Sequence, residues 1–131
     1  IFGYTVMNDV SARNLQTEHN QWYFGKSLDG FTPLGPCIIT EDEVPYPPEL
    51  AISSTVNGET RQNSNTRYLL HSISEIIAEL SQGMTLLAGT IIATGTPAGV
   101  GMGFNPPKFL KSGDIVTCEI EKIGKLTNMV K

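Results

Sequence analysis

Basic charge is scarce in this chain. Nine lysines and arginines stand against thirteen acidic residues, for a net charge of -4. The nine are scattered, so they form neither the phosphate-neutralising surface of a nucleic-acid binder nor a polybasic patch for an anionic membrane. No apolar run nears the roughly 20 residues needed to span a bilayer. Nucleic acid and membrane are therefore not expected partners. Thiols and imidazoles are as sparse. Cys37 and Cys118 lie far apart and make no CxxC or CxxH pair with His19 or His71. That argues against zinc, leaves a disulfide open but not indicated, and favours buried free thiols in a reducing cytosol. Neither histidine has an acid at a telling spacing, and neither is assigned a role. There is no heptad and no repeat of roughly 20 to 50 residues.

What the chain does have is apolar segments punctuated by 13 glycines and 8 prolines, the composition of a turn-rich, strand-built globular fold. Its 131 residues suit a single domain. The first residue is Ile1, and the strand-like IFGYTVM follows at once with no charged leader or cleavage site. A piece of a longer protein is expected.

Residues 3–8 read as a buried strand, after which Ser11 is placed to cap a short helix running to about Thr17. Asp9 then sits at a strand-to-helix junction. QWYFGKS at 21–27 reads as a loop, Pro33-Leu34-Gly35-Pro36 as a turn, 37–40 as a short strand, and Val44–Pro48 as a stiff extended connector. AISSTVNGETRQN at 51–63 is a hairpin around Asn57-Gly58, a pair that tolerates the positive φ a type I' turn needs. Residues 72–83 form an amphipathic helix expected to lie on a sheet, with Gly83 as its stop. Leu86–Thr94 reads as a turn and a β-branched strand delivering the chain to Gly95-Thr96-Pro97, and 114–121 pairs with 125–130.

Three polar clusters fall where strands end. Asp9 offers a hard oxygen to Mg2+, Mn2+ or Ca2+, or it accepts backbone N–H groups at the start of the helix. Arg13 either grips a carboxylate bidentately or pairs with Asp9 or Glu18. Gln16, about one turn on, either shares its face or is solvated. Lys26, an ammonium beside an aromatic wall, either stabilises an enolate or snorkels on the surface. TGTPAGVG lacks the lysine of a phosphate loop but carries backbone N–H groups and a hydroxyl able to hold one carboxylate, unless it is an ordinary glycine turn. Cys37 and Cys118 fall in strand patterns and are assigned to the core.

In order, MNDVSARNLQ, FGKSLDGFTPLGP, VNGETRQNSNT, ATGTPAGVG and FLKSGDIVTCEIEKIGKLTN resemble the fumarylacetoacetate hydrolase family over nearly the whole chain. The nearest look is to bacterial 2-hydroxyhepta-2,4-diene-1,7-dioate isomerases and acylpyruvate-type hydrolases. The resemblance implies a β-rich α+β fold with a rolled sheet and few short helices, here one N-terminally incomplete domain over 1–131. It implies a cytoplasmic homodimer of aromatic-compound catabolism, with one Mg2+ or Mn2+ ion and a small 2-oxo acid or 2-hydroxy-dienoic acid as substrate. By resemblance Asp9 is a metal ligand, Arg13 and Gln16 line the substrate pocket, Lys26 and Gln16 steady an oxyanion, and the Gly95-Thr96 loop grips the substrate carboxylate. Hydrolysis, isomerisation and decarboxylation all share the metal-stabilised enolate.

Two departures stand out. The family's SARD reads SARN here, with Asn14 in place of the acid, and no Glu-x-Glu precedes Asp9. Glu119-Ile120-Glu121 has the letters but lies in the terminal hairpin, and the water-activating His or Glu of an upstream lid is absent. A chain so truncated is expected to be inactive alone. The competing expectation is an inactive β-rich module kept for ligand binding or oligomerisation. A third takes the chain as complete, with Asp9 a structural cap.

Overall fold

Asn57 and Gly58 both adopt positive φ, +50° and +81°, and turn the chain between strands β3 (Ala51–Val56) and β4 (Glu59–Asn65) as expected. The computed structural model describes residues 1–18 and 20–131. His19, given no role above, lies outside the described residues. β3 also pairs antiparallel with β5 (Ile115–Ile120), which pairs with β6 (Gly124–Met129), giving a four-stranded sheet in the order β4-β3-β5-β6. A second, two-stranded sheet joins β1 (Gly3–Met7) to β2 (Leu34–Thr40). Two short α-helices, α1 (Arg13–Glu18) and α2 (Ile73–Ser81), complete a β-rich α+β architecture.

The core lies where the two sheets meet. Val6, Ile39, Val44, Leu50 and Ile123 are buried together, with Tyr4, Cys118, Ile120 and Leu126 packed against them. The strand alternation explains the selection: β1 buries one residue, Val6, and leaves its neighbours half-covered. β1 and β2 pack against β5 and β6, the edge of the large sheet remote from β4.

Both sheets are irregular at one place. In the small sheet Tyr4 pairs with Ile39 but Val6 with Gly35, so extra residues of β2 bulge opposite Thr5. In the large sheet Ser54 pairs with Gln62 but Thr55 with Thr60, which leaves Arg61 as an extra residue on β4.

Several expectations need correction. β2 begins at Leu34 rather than Cys37, because the supposed Pro-Leu-Gly-Pro turn is already paired with Met7. Cys37 is exposed rather than core: it lies in the β2 bulge, and its thiol donates to the Ile123 carbonyl at 3.5 Å. Cys118 is partly buried, and that burial pushes its thiol up from the usual value. Ser11 does not cap α1; its hydroxyl donates to the Asp9 carbonyl at 3.2 Å, and the helix starts at Arg13. α2 is N-capped by Ser72, whose side chain and that of Glu75 bond reciprocally in a capping box. None of its side chains is buried, so it does not settle on a sheet among the described residues. The β-branched segment 86–94 forms no strand, because no described strand lies alongside to share its backbone hydrogen bonds.

Candidate functional site

The chain leaves β1 at Met7 and is tied down at once. Asn8 N–H donates to the Pro33 carbonyl at 3.1 Å and its side chain donates to Asn128 at 3.3 Å, fixing the backbone that presents Asp9. Three residues beyond Asp9, Ala12 N–H donates to the Gly25 carbonyl at 2.9 Å, docking α1 against the 3-10 turn Phe24–Lys26. The turn delivers Lys26 onto Asp9, and the ammonium donates to Oδ2 in an ion pair. The two side chains are 28% and 37% exposed, so the pair faces solvent and is reachable by a ligand.

Neither side chain follows the structural alternative open to it in the sequence. Asp9 is bonded to Lys26 rather than to the helix start, and Lys26 is partnered rather than snorkelling. Arg13 pairs with neither Asp9 nor Glu18; its Nη1 donates to Gln16 Oε1 across one turn of α1. A guanidinium can only donate, so this bond defines the orientation of the Gln16 carboxamide and leaves its N–H groups as the other end. Gln16 is buried, not solvated. Asn14 lies exposed on α1, where its carbonyl accepts from Thr17.

Gly95 and Thr96 are held elsewhere. Gln62 on β4 donates through Nε2 to Thr96 Oγ1 at 2.7 Å and to the Pro97 carbonyl at 2.8 Å, while Ser54 Oγ donates to its Oε1 at 2.8 Å. Gly99, at φ +110°, lies against the Arg61 carbonyl so closely that a Cβ there would overlap it. Beyond it, the Phe104 ring is flanked by Arg61 and Lys108, 5.3 and 5.0 Å from its centroid. Glu59 pairs with both cations, and the hydrogen bond from Lys108 holds its carboxyl below the usual range. Arg61 Nε is buried with no hydrogen-bond partner. The TGTP loop is thus clipped to β4 at the Arg61 bulge. Among the described residues no hydrogen bond or ion pair joins it to the Asp9–Lys26 group.

Gln62 was not singled out in the sequence, although its motif was; nothing local marks a strand glutamine whose partner lies 34 residues away. Two shallow grooves, one against Val44 and Leu50 and one on the face of β3 at Ser53, contain none of the predicted site residues.

Asp9 suits a hard divalent ion in kind, as an accessible carboxylate. In number the set falls short: among the described residues no three acids, imidazoles or thiols stand together. No described helix is long and apolar enough to cross a membrane.

A β-rich domain with an acid–lysine pair at a strand-to-helix junction and a glycine-rich loop on a bulged strand defines a class. Within it, residues 1–131 match the family model "Fumarylacetoacetate (FAA) hydrolase C-terminal", and the chain belongs to the fumarylacetoacetate hydrolase family. It is 50% identical over 130 residues to the oxaloacetate tautomerase YisK of Bacillus subtilis, covering 99% of this chain and 43% of that protein. The fumarylacetoacetate hydrolase of Exiguobacterium antarcticum superposes with a TM-score of 0.95 at 53% identity, over 99% of this chain and 47% of that one. For the 2-hydroxyhepta-2,4-diene-1,7-dioate isomerase of Mycobacterium marinum the TM-score is 0.87 at 44% identity, over 99% and 48%. The chain spans less than half the length of these relatives.

Proposed function

We propose that the protein is a divalent-metal-dependent enzyme acting on 2-oxo or 2-hydroxy-dienoic acids through an enolate. The observation that carries this is the ion pair of Asp9 and Lys26, held on a rigid junction beside the Arg13–Gln16 pair. Half-identity to a protein named as an oxaloacetate tautomerase and to one named as a fumarylacetoacetate hydrolase supports 2-oxo acid chemistry through an enolate, with oxaloacetate as the first substrate to test.

In this proposal Asp9 would hold Mg2+ or Mn2+ as one ligand of a set that the described residues do not complete. The ion, when bound, supplies Lewis acidity toward the 2-oxo and carboxylate oxygens. The residues of this chain do the rest. Lys26 donates a charge-assisted hydrogen bond to the oxygen on which enolate charge develops, and the Gln16 N–H groups steady the same oxygen. Arg13, kept in one rotamer by Gln16, presents its remaining N–H groups to a carboxylate. Gly95 and Thr96 hold the substrate carboxylate through backbone N–H and hydroxyl. A homodimer in the cytoplasm belongs to the same proposal and rests on the family resemblance; light scattering of the full-length protein checks the dimer.

The test follows oxaloacetate enol absorbance, and a panel of acylpyruvates and dienoic diacids, in the full-length protein after chelation and Mg2+ or Mn2+ titration. Asp9→Ala is expected to abolish turnover and its metal response. Unchanged turnover in that variant overturns the proposal.

A further inference from the structure

The Gln62 carboxamide uses both of its ends. Oε1 accepts from Ser54, its ladder partner, and Nε2 donates to Thr96 Oγ1 and to the Pro97 carbonyl. A carbonyl can only accept, so the end facing Pro97 must be the NH2 group, and the network admits one orientation of the amide. The same NH2 group faces Thr96. The threonine oxygen therefore receives a hydrogen bond, and its own proton is directed away from Gln62. A hydroxyl held in this way is a donor toward whatever approaches its other side, and an anion is the ligand that polarity suits.

We infer that Gln62 is a positioning residue that sets the Thr96 hydroxyl as a donor to the substrate carboxylate. This rests on the reading above that Thr96 holds that carboxylate. The Arg61 bulge and the close approach of Gly99 fix the backbone of the loop; Gln62 fixes the direction of its one hydroxyl. Replacing the amide by a carboxylate of the same shape would reverse that direction, because the threonine proton would turn inward to the new acceptor.

The test is a double-mutant cycle between Gln62→Glu and Thr96→Val in the full-length protein with saturating Mg2+. It is read as KM and kcat for oxaloacetate and as Kd for oxalate, a two-carboxylate probe that needs no turnover. Gln62→Glu is expected to raise KM and Kd roughly 10- to 100-fold, the worth of a hydrogen bond to a charged group, with kcat nearly unchanged. In the Thr96→Val background, where only the bond to the Pro97 carbonyl is left to lose, it should cost much less. Gln62→Met, which removes the donor without adding charge, serves if the glutamate variant does not fold, and should weaken binding in the same non-additive way. Additive effects, or unchanged KM and Kd, overturn the inference while the proposed function stands. If the wild type turns over no substrate but binds oxalate, the proposed function falls and the cycle on Kd still decides. A wild type that neither reacts nor binds overturns both.

Discussion

Gly25 lies so close to Gln16 that a Cβ built on it would sit 2.7 Å from the Gln16 nitrogen and 2.8 Å from its Cβ, with the Ala12 carbonyl at 2.9 Å. Three polar side chains depend on this contact, because it sets the distance between α1, which carries Arg13 and Gln16, and the turn that carries Lys26.

Gly25→Ala should therefore damage the site without touching a ligand. The added methyl meets backbone on two sides, and the elements must part to admit it. We expect a stability loss of about 1–3 kcal/mol by urea denaturation. A fall in kcat/KM should exceed that of an equally destabilised core variant.

Lys26→Met should separate chemistry from stability. A solvent-facing ion pair contributes about 1 kcal/mol or less, so the melting temperature should barely move. Loss of an oxyanion donor should lower kcat roughly 100- to 1000-fold and affect KM less. A larger effect on KM than on kcat would place Lys26 in binding alone.

Gly99→Ala asks an L-residue to adopt φ +110° and to overlap the Arg61 carbonyl. Backbone strain of this kind costs about 1–3 kcal/mol. Hydrogen exchange should show the Gly103 and Lys108 amides, bonded to the Val100 and Gly101 carbonyls, losing protection while those of β5 and β6 keep theirs.

The carboxyl of Asp114 is held below its ordinary range by the Asn57 side-chain amide, then by the Lys111 backbone N–H. A depressed folded value means stability that is present above the unfolded carboxylate value of about 4 and lost as pH falls through the folded one. Asn57→Ala removes the larger cause and also puts alanine at φ +50°. The left-handed alanine should cost about 1–2 kcal/mol, and melting temperature should fall less steeply with acid below about pH 4 than in the wild type.

What could be read in the sequence was what neighbours along the chain decide. The Asn57-Gly58 turn needs two residues with positive φ, and helix 73–81 carries its apolar stripe within nine positions, although Gly83 beyond its end does not take the positive φ of a glycine stop. Asp9, Arg13, Gln16 and Lys26 were named from local chemistry and an ordered resemblance, and the structure brings them together as two bonded pairs. The failures are non-local. Segment 86–94 has strand propensity, but a strand exists only with a partner, and propensity does not supply one. Cys37 and Gln62 owe their surroundings to bulges, which arise from how two strands slip past one another and leave no mark in either strand's own letters.

The bulge at Arg61 makes the hairpin unequal in the changes it can accept. Deleting that one residue would restore an uninterrupted ladder, with Ser54 still opposite Gln62 and Thr55 opposite Thr60. The sheet would lose nothing by it. The carbonyl against which Gly99 rests would be gone, so a length change harmless to the ladder would leave the TGTP loop held to β4 by Gln62 alone. Along this strand, chain length is under a constraint that residue identity alone would not reveal.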